Sequence, residues 1–500
     1  MIKRLLIANR GEIAVRIICA CRELGIETVA VYSAADRLAP HVSAADRAIH
    51  IGAAPPAESY LNVDRLISAA RESRADAVHP GYGFLSERAA FARACEDAGL
   101  VFVGPPASVL ARMGSKIGAR VLMQRAGVPI VPGERPSDQS LEAIRTAVVR
   151  VGLPALLKPA AGGGGIGMKT LRDSSEIDDS VERARREALA AFGDGTLYVE
   201  RLVERPRHIE IQVFADTHGN IVHLFERECS IQRRHQKTIE ETPSVALTPA
   251  LRAQMGEAAI NAARAAQYIN AGTVEFLLEG TGDNAQFYFL EMNTRLQVEH
   301  PITESVTGVD LVNAQLRVAS GDRLPWRQTE LVQRGHAIEC RIYAEDPHQN
   351  FLPQAGTLLM YQEPKGPGVR VDSGVIEGAD VSVYYDPLLA KLVVWAETRD
   401  AAIARAVAAL REYVILRVRA NLAFLGAILH HPRFISGAID TRFLEDEIES
   451  LRSGLLADDV PLAALAAAAF HNGGESRAPT ERTAPKGAAD PFVTLGAWRG

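Results

Sequence analysis

The segment from Glu291 to Glu299 holds the densest set of reactive side chains in the 500 residues. Glu291, Asn293, Arg295, Gln297 and Glu299 alternate with Met292, Thr294, Leu296 and Val298. In an extended segment that alternation sends the polar set to one face. Glu291 and Asn293 at its start, with Glu275 on the preceding strand, suit Mg²⁺, which takes few carboxylates and completes its shell with phosphate oxygens. Eight extended steps would cover about 27 Å, too long for one small site. The segment must therefore curl, with a metal at its first end and an anion at the other. An exposed edge strand would not account for the continuity of Met-Asn-Thr-Arg-Leu-Gln-Val-Glu-His-Pro.

A second candidate is Gly162-Gly163-Gly164-Gly165-Ile166-Gly167, directly after Leu156-Leu157-Lys158. Glycine lets a backbone approach an anion and turn its N–H groups inward. No Gly-Lys-Ser/Thr closes the run, so it is not a P-loop. An isolated glycine run would read as a flexible loop, but Lys158 and the earlier Lys116 tilt it toward a triphosphate. His208, Glu210 and Gln212 share one face of a strand whose other face carries Ile209, Ile211 and Val213, as a solvated sheet face also would. Arg233-Arg234-His235-Gln236-Lys237 is a cationic stretch that is either a surface charge run or the lining of an anion cleft. Arg341, amid Glu339, Glu345 and Asp346, is ordinarily a structural ion pair. Cys19 and Cys21 lie two apart on an apolar helix, cannot share a face, and read as core.

The elements that must position these groups fall into three units, as the length suggests. Up to residue 110 strand and helix alternate: Lys3–Ala8, a helix from Ile13 to Leu24 stopped by Gly25, then Thr28–Tyr32. Ala75–His79, a turn at Pro80-Gly81-Tyr82-Gly83, a helix through Ala98 and Val101–Val103 repeat the pattern. This predicts a βαβ layout with a parallel sheet. Gly11-Glu12-Ile13 lacks the spaced glycines of a dinucleotide fingerprint, which excludes a Rossmann dehydrogenase. A second unit carries strands at Ala155–Lys158, Leu197–Glu200, His208–Ala215 and Ile221–Arg227, helices at Ser175–Ala191 and Thr248–Gln267, and a hairpin of Gly272–Leu278 with Gln286–Asn293. A mixed third unit runs from about Gly335 to Glu449, and Gly473 to Asp490 reads as a linker.

Composition narrows the class. A net charge of −6 argues against bulk nucleic-acid binding. Hydrophobic residues at 47% and charged ones at 23% fit a soluble globular chain, and no apolar run approaches a membrane span. Five cysteines cannot build a disulfide framework, which points to a reducing, cytoplasmic setting.

Taken together, these segments resemble the biotin carboxylases of the ATP-grasp superfamily. The resemblance rests on Ile7-Ala8-Asn9-Arg10-Gly11-Glu12-Ile13-Ala14, His79 to Glu87, the glycine loop, Arg207 to Val213, Glu226 to Lys237, Glu291 to Pro301 and Gly335 to Asp346. It covers residues 1 to about 449 in order. It implies an α/β (α+β overall) fold with an N-terminal domain at 1–114 and an ATP-grasp domain at 115–330, whose lid is about 130–203. A C-terminal domain at 331–449 and a helical tail and flexible linker at 450–500 would follow.

The resemblance further implies ATP- and bicarbonate-dependent carboxylation of biotin through carboxyphosphate, with Mg²⁺ (or Mn²⁺). Lys116 and Lys158 would contact phosphates, with Gly164 and Gly165 closing over them. Glu200, Arg201, Leu202 and Val203 would hold the adenine edge, and His208, Gln232 and His235 the ribose and phosphate side. Glu275, Glu291 and Asn293 would hold metal. Lys237, Arg295, Gln297 and the Val298 backbone would cradle bicarbonate, Glu299 would be its general base, Arg341 would stabilise the biotin enolate, and Tyr82 would also face this substrate. The expected partners are a biotinyl carrier domain and a carboxyltransferase subunit, with a homodimer or a larger carboxylase complex as the assembly.

Three positions depart from the pattern. Ile166 stands where a basic residue is usual, which puts lid closure in doubt; Arg201 replaces a common lysine; and Val418-Arg419-Ala420-Asn421 replaces a Gly/Thr-containing turn. Two rival readings follow: another ATP-grasp ligase, or a non-catalytic nucleotide-binding scaffold of a carboxylase complex. The only Met-Lys pair is Met168-Lys169 in the glycine loop, so the biotin carrier is expected elsewhere. Pro491 to Arg499 resembles the start of a further region in multidomain acyl-CoA carboxylase α subunits.

Overall fold

The computed structural model describes residues 2–160, 167–234 and 236–455. Residues 1–452 pack as one compact unit. The glycines and Ile166 at 162–166, His235, and the expected linker all lie outside the described residues.

The N-terminal part is the βαβ layout expected. Arg4–Ile7 is flanked by Glu27–Ser33 and Ala77–His79, all parallel, and Arg47–Gly52 and Val101–Phe102 complete five strands. The helix Gly11–Glu23 buries Ile13, Ala14, Ile17, Ile18 and Cys21. Their i, i+3/i+4 spacing is the apolar stripe such a helix needs. Cys19 is exposed, against the expectation of core, because two residues on a helix sit about 200° apart.

An eight-stranded antiparallel sheet forms the centre. Its order is Gln286–Asn293, Asn270–Glu279, Arg207–Ala215, Ile221–Arg233, Gln236–Thr242, His336–Tyr343, Leu388–Ala396 and Val369–Ser373. The sheet thus runs from the second sequence unit into the third. Ile209, Ile211 and Val213 pack against the helix Pro249–Ala266, whose Met255, Ala259, Ala262 and Ala263 let the helix approach closely. Thr248 caps that helix by accepting from the Leu251 N–H, with Pro249 at its first turn. The opposite face is polar but is not solvated, since Glu210, Gln212 and Arg227 are fully buried.

Between residues 133 and 201 a second antiparallel sheet orders Gly133–Glu134, Leu197–Arg201, Ala155–Pro159 and Lys169–Leu171. The helices Leu141–Val151 and Ile177–Phe192 close over it. Ile144, Val148, Leu157, Val181 and Val199 form a small core of its own, separate from that of the central sheet. A subunit with its own core can move as a body without exposing a shared one.

Candidate active site

A cleft of about 1060 Å³ opens between the polar face of the central sheet and the smaller sheet. Its wall carries Lys116, Lys158, Glu200, Arg201, Leu202, Val203, His208, Gln232, Lys237, Glu275, Glu291, Asn293, Arg295, Gln297, Val298 and Arg341. These come from segments more than 200 residues apart. Glu299 lies beneath the wall, fully buried. Tyr82 is away from it, with its hydroxyl donated to Glu12. Gly164, Gly165 and His235 lie outside the described residues.

The 291–299 segment curls as its length required. The strand ends at Asn293, Thr294 to Val298 form a loop, and Glu299 precedes the helix His300–Thr307, with Pro301 in its first turn. Two buried cations pin that last carboxylate. Lys237 Nζ donates to Glu299 Oε1 at 2.6 Å, and Arg341 Nη2 donates to Glu299 Oε2 at 2.9 Å. Lys237 also reaches Glu210 at 2.6 Å and Glu275 at 3.1 Å. Burial pushes the Glu299 carboxyl up, but Lys237 and Arg341 outweigh it and hold it well below the usual carboxylate range. Burial likewise disfavours the Lys237 ammonium, yet Cys229 and its three carboxylates keep it well above its ordinary value.

At the other end Glu275 and Glu291 are directly paired across neighbouring strands. Burial and the Glu275 charge push the Glu291 carboxyl up, as expected where two acids share one patch. Asn293 Nδ2 donates to Glu275 at 2.7 Å. Two carboxylates and an amide oxygen of a turnable side chain form an oxygen-only donor set beside Lys116 and the cleft, which fits a hard divalent cation. Lys158 is held by Glu200 at 2.9 Å. Glu200 also takes Arg120, so its side chain is committed and an adenine edge would meet the backbone of this strand.

Several groups that shape the site were not among the residues singled out from the sequence. Arg227 is completely buried and donates to Glu210, to Gln212 at 2.8 Å, to Thr303 at 2.9 Å and to Thr273 at 3.1 Å. It thereby fixes the carboxylate that fixes Lys237. Lys391, also fully buried, donates to the Val298 carbonyl at 2.9 Å and pairs with Glu12 at 3.1 Å. It ties the 294–298 loop to the last part of the chain and to the first helix. Glu87 accepts from the Thr294 N–H at 2.9 Å and from Arg295 Nε at 3.2 Å, while Arg295 Nη1 donates to Gln297 at 2.8 Å. Glu87 lies in a matched motif, but a partner 208 residues away is invisible to spacing. Glu87→Gln is expected to loosen the Arg295 guanidinium. The KM for an anionic substrate held there should rise several-fold, below the roughly 1.5–3 kcal/mol of a charged hydrogen bond because Glu87 is partly exposed, with little change in nucleotide affinity. Titration of initial rates against each substrate checks this.

Comparison with known proteins identifies the family. The family described as biotin carboxylase, N-terminal domain, matches residues 1–110, and the biotin carboxylase C-terminal domain matches 339–446. Between them the ATP binding domain of the carbamoyl-phosphate synthase L chain matches 115–327. The biotin carboxylase of Halalkalibacterium halodurans is 50% identical over 453 residues, covering 90% of this chain and 98% of its own. The chain belongs to the biotin carboxylase family.

Another relative, the mitochondrial methylcrotonoyl-CoA carboxylase α subunit of Mus musculus, is 48% identical over 90% of this chain. The chain spans 62% of that subunit's length. Among solved structures, the biotin carboxylase domain dimer of the Hydrogenobacter thermophilus 2-oxoglutarate carboxylase superposes with a TM-score of 0.86. It has 45% identity, covers 90% of this chain and 99% of that one, and was crystallised with MgADP, ADP and bicarbonate. The Campylobacter jejuni biotin carboxylase in a β,γ-ATP complex scores 0.86 at 44% identity, with 89% and 99% covered. The family's mixed α/β architecture is the one described above, and none of the described helices is long and apolar enough to cross a membrane.

Proposed function

We propose that this chain carboxylates biotin with bicarbonate at the expense of ATP, as the first half-reaction of a carboxylase. The observation that carries the reading is Glu299, a buried carboxylate gripped by Lys237 and Arg341 just beneath the wall of a cleft that also gathers Lys116, Lys158, Glu275 and Glu291.

Lys116 and Lys158 bind the triphosphate, and the Arg201–Val203 backbone meets the base. Glu275, Glu291 and Asn293 hold Mg²⁺, which when bound neutralises phosphate charge and draws electron density from the γ-phosphorus. Arg295, Gln297, the Val298 N–H and Lys237 receive bicarbonate. As that anion takes donors from Lys237, the cation leaves Glu299 less fully paired, and the carboxylate gains proton affinity when it must act as base. Glu299 takes the bicarbonate proton, the freed oxygen attacks the γ-phosphorus, and ADP leaves. Carboxyphosphate divides into CO₂ and phosphate, phosphate removes the ureido N–H proton of biotin, and the nitrogen attacks CO₂. Negative charge that develops on the ureido oxygen meets Arg341. Closure of the 130–203 segment excludes water that would hydrolyse the acyl phosphate.

Biotin arrives on a carrier domain, and a carboxyltransferase passes the carboxyl group to an acyl-CoA or related acceptor. The homodimer remains the expected assembly of this region, and the cytoplasm, or another reducing compartment, its setting. Phosphate release from ATP is expected to require bicarbonate and to rise further with free biotin. ATP turnover indifferent to biotin would point to a different ATP-grasp ligase, and binding without turnover to a scaffold.

A further inference from the structure

Beneath Arg341 the central sheet buries two carboxylates side by side. Glu240 and Glu339 are directly paired across the strands Gln236–Thr242 and His336–Tyr343, and both are fully buried. Arg341 lies two residues from Glu339, on the same sheet face, and Arg341 Nε donates to Glu240 Oε1 at 2.6 Å. Among the described residues, neither oxygen of Glu339, nor the second oxygen of Glu240, has a hydrogen-bond partner.

The neighbouring cations are committed elsewhere. Lys391, opposite Arg341 on the next strand, spends its ammonium on Val298, Glu12 and Asp372. Arg341 spends its guanidinium on Glu240 and Glu299. The groups facing Glu339 are Glu240 from one neighbouring strand, Lys391 from the other, Arg341 on its own strand, Glu299 ahead of the helix His300–Thr307, and Tyr82 from the N-terminal part. An ionised carboxylate with no donor in such a place is prohibitively desolvated.

We propose that Glu339 is a neutral, protonated carboxyl in the working protein, and that the Glu240–Glu339 pair is a positioning device holding one proton so that Arg341 stays attractive to anions. This rests on the role given above to Arg341 and Glu299. Glu240 alone then anchors the guanidinium, and Glu339 adds no second negative charge behind it. Burial holds the Glu339 proton well above the usual carboxylate range, and burial pushes Glu240 up to about 7 against the pull of Arg341. Loss of the shared proton in alkaline solution would add a negative charge behind Arg341 and weaken anion capture.

The test uses the full chain and its Glu339→Gln variant. Infrared difference spectra at neutral pH should show a protonated-carboxyl C=O stretch in the parent that is missing in the variant; no such difference overturns the proposal. This readout needs no turnover, so it survives even if the proposed carboxylation were wrong. Glu339→Gln should lower kcat by less than about tenfold, a neutral group replacing a neutral one. The alkaline fall in kcat/KM for bicarbonate should shift upward or vanish; an unchanged profile in the variant sinks the idea. Should Glu339→Gln not fold, Glu339→Met fills similar space without charge. A folded Met variant supports a neutral native side chain, and failure of both variants to fold refutes it.

Discussion

Glu299→Gln is expected to abolish bicarbonate-dependent ATP hydrolysis while nucleotide binding survives. Each carboxylate oxygen of Glu299 accepts from a different cation, Lys237 at 2.6 Å and Arg341 at 2.9 Å. An amide can accept at one end only, so its NH₂ must face the other cation. The variant therefore loses the proposed base and misplaces one of the two donors in a single change. A positioned general base contributes about 10²–10⁴ in rate, and the misplaced cation adds to that, so kcat should fall at least about 10³-fold. Stability should drop less, by about 1–3 kcal/mol, because Lys237 keeps Glu210 and Glu275 and Arg341 keeps Glu240. Nucleotide affinity, measured by titration calorimetry, should stay near that of the parent, because Glu299 is covered by the cleft wall and Lys116 and Lys158 are untouched. Loss of ATP binding in a folded variant would contradict the role given to Glu299.

Lys237→Met is expected to be the most destabilising single change to the site. The lysine is the common partner of Glu210, Glu275 and Glu299, and the methionine leaves three buried acids facing one another. Breaking a buried pair from one side costs about 3–5 kcal/mol. Arg227 still serves Glu210 and His208 still serves Glu275 at 3.0 Å, which keeps the loss from tripling. The effect should depend on pH. Glu275 and Glu299 are both held below the usual carboxylate range, against their burial, first by Lys237. A lowered folded-state value stabilises above the unfolded-state value, about 4.3, and is lost as pH falls through the folded-state value. Removing Lys237 raises the folded-state values, so acid unfolding, followed by circular dichroism, should begin at higher pH than in the parent. Activity should fall by at least about 10²–10³, the scale for losing one preorganised charge donor. An acid transition identical to the parent's would show that Lys237 does not set these carboxylates.

Much of the molecule was legible in the order of its residues. The parallel N-terminal layout follows from apolar strands and an apolar helical stripe punctuated by glycine. The 155–159 and 207–215 strands and the 249–266 helix are short-range facts of alternation and capping. The Glu291–Glu299 alternation set out a polar face, and its excess length announced the curl between Asn293 and His300. Periodicity could not tell a solvated face from a buried one, since Glu210 and Gln212 alternate with isoleucines in either case. Only the arrival of Arg227 and of the helix His300–Thr307 makes that face interior.

What the tertiary structure alone decided is which charges meet. Alternation singled out Arg295 and Glu299, and the family resemblance singled out Lys237 and Arg341, but spacing along a chain carries no information about Glu87 reaching Arg295 or Lys391 reaching the Val298 carbonyl. Those contacts join segments about 90 to 210 residues apart, and they form only when separate strands and helices have closed on one sheet. The same closure leaves Glu339 without a donor among the described residues. Ionisation responds to what lies within a few ångströms in space, and low dielectric magnifies it. Sequence therefore determined the chemistry available to this protein, and the packing of its central sheet determined which of those groups carry charge and toward what they point.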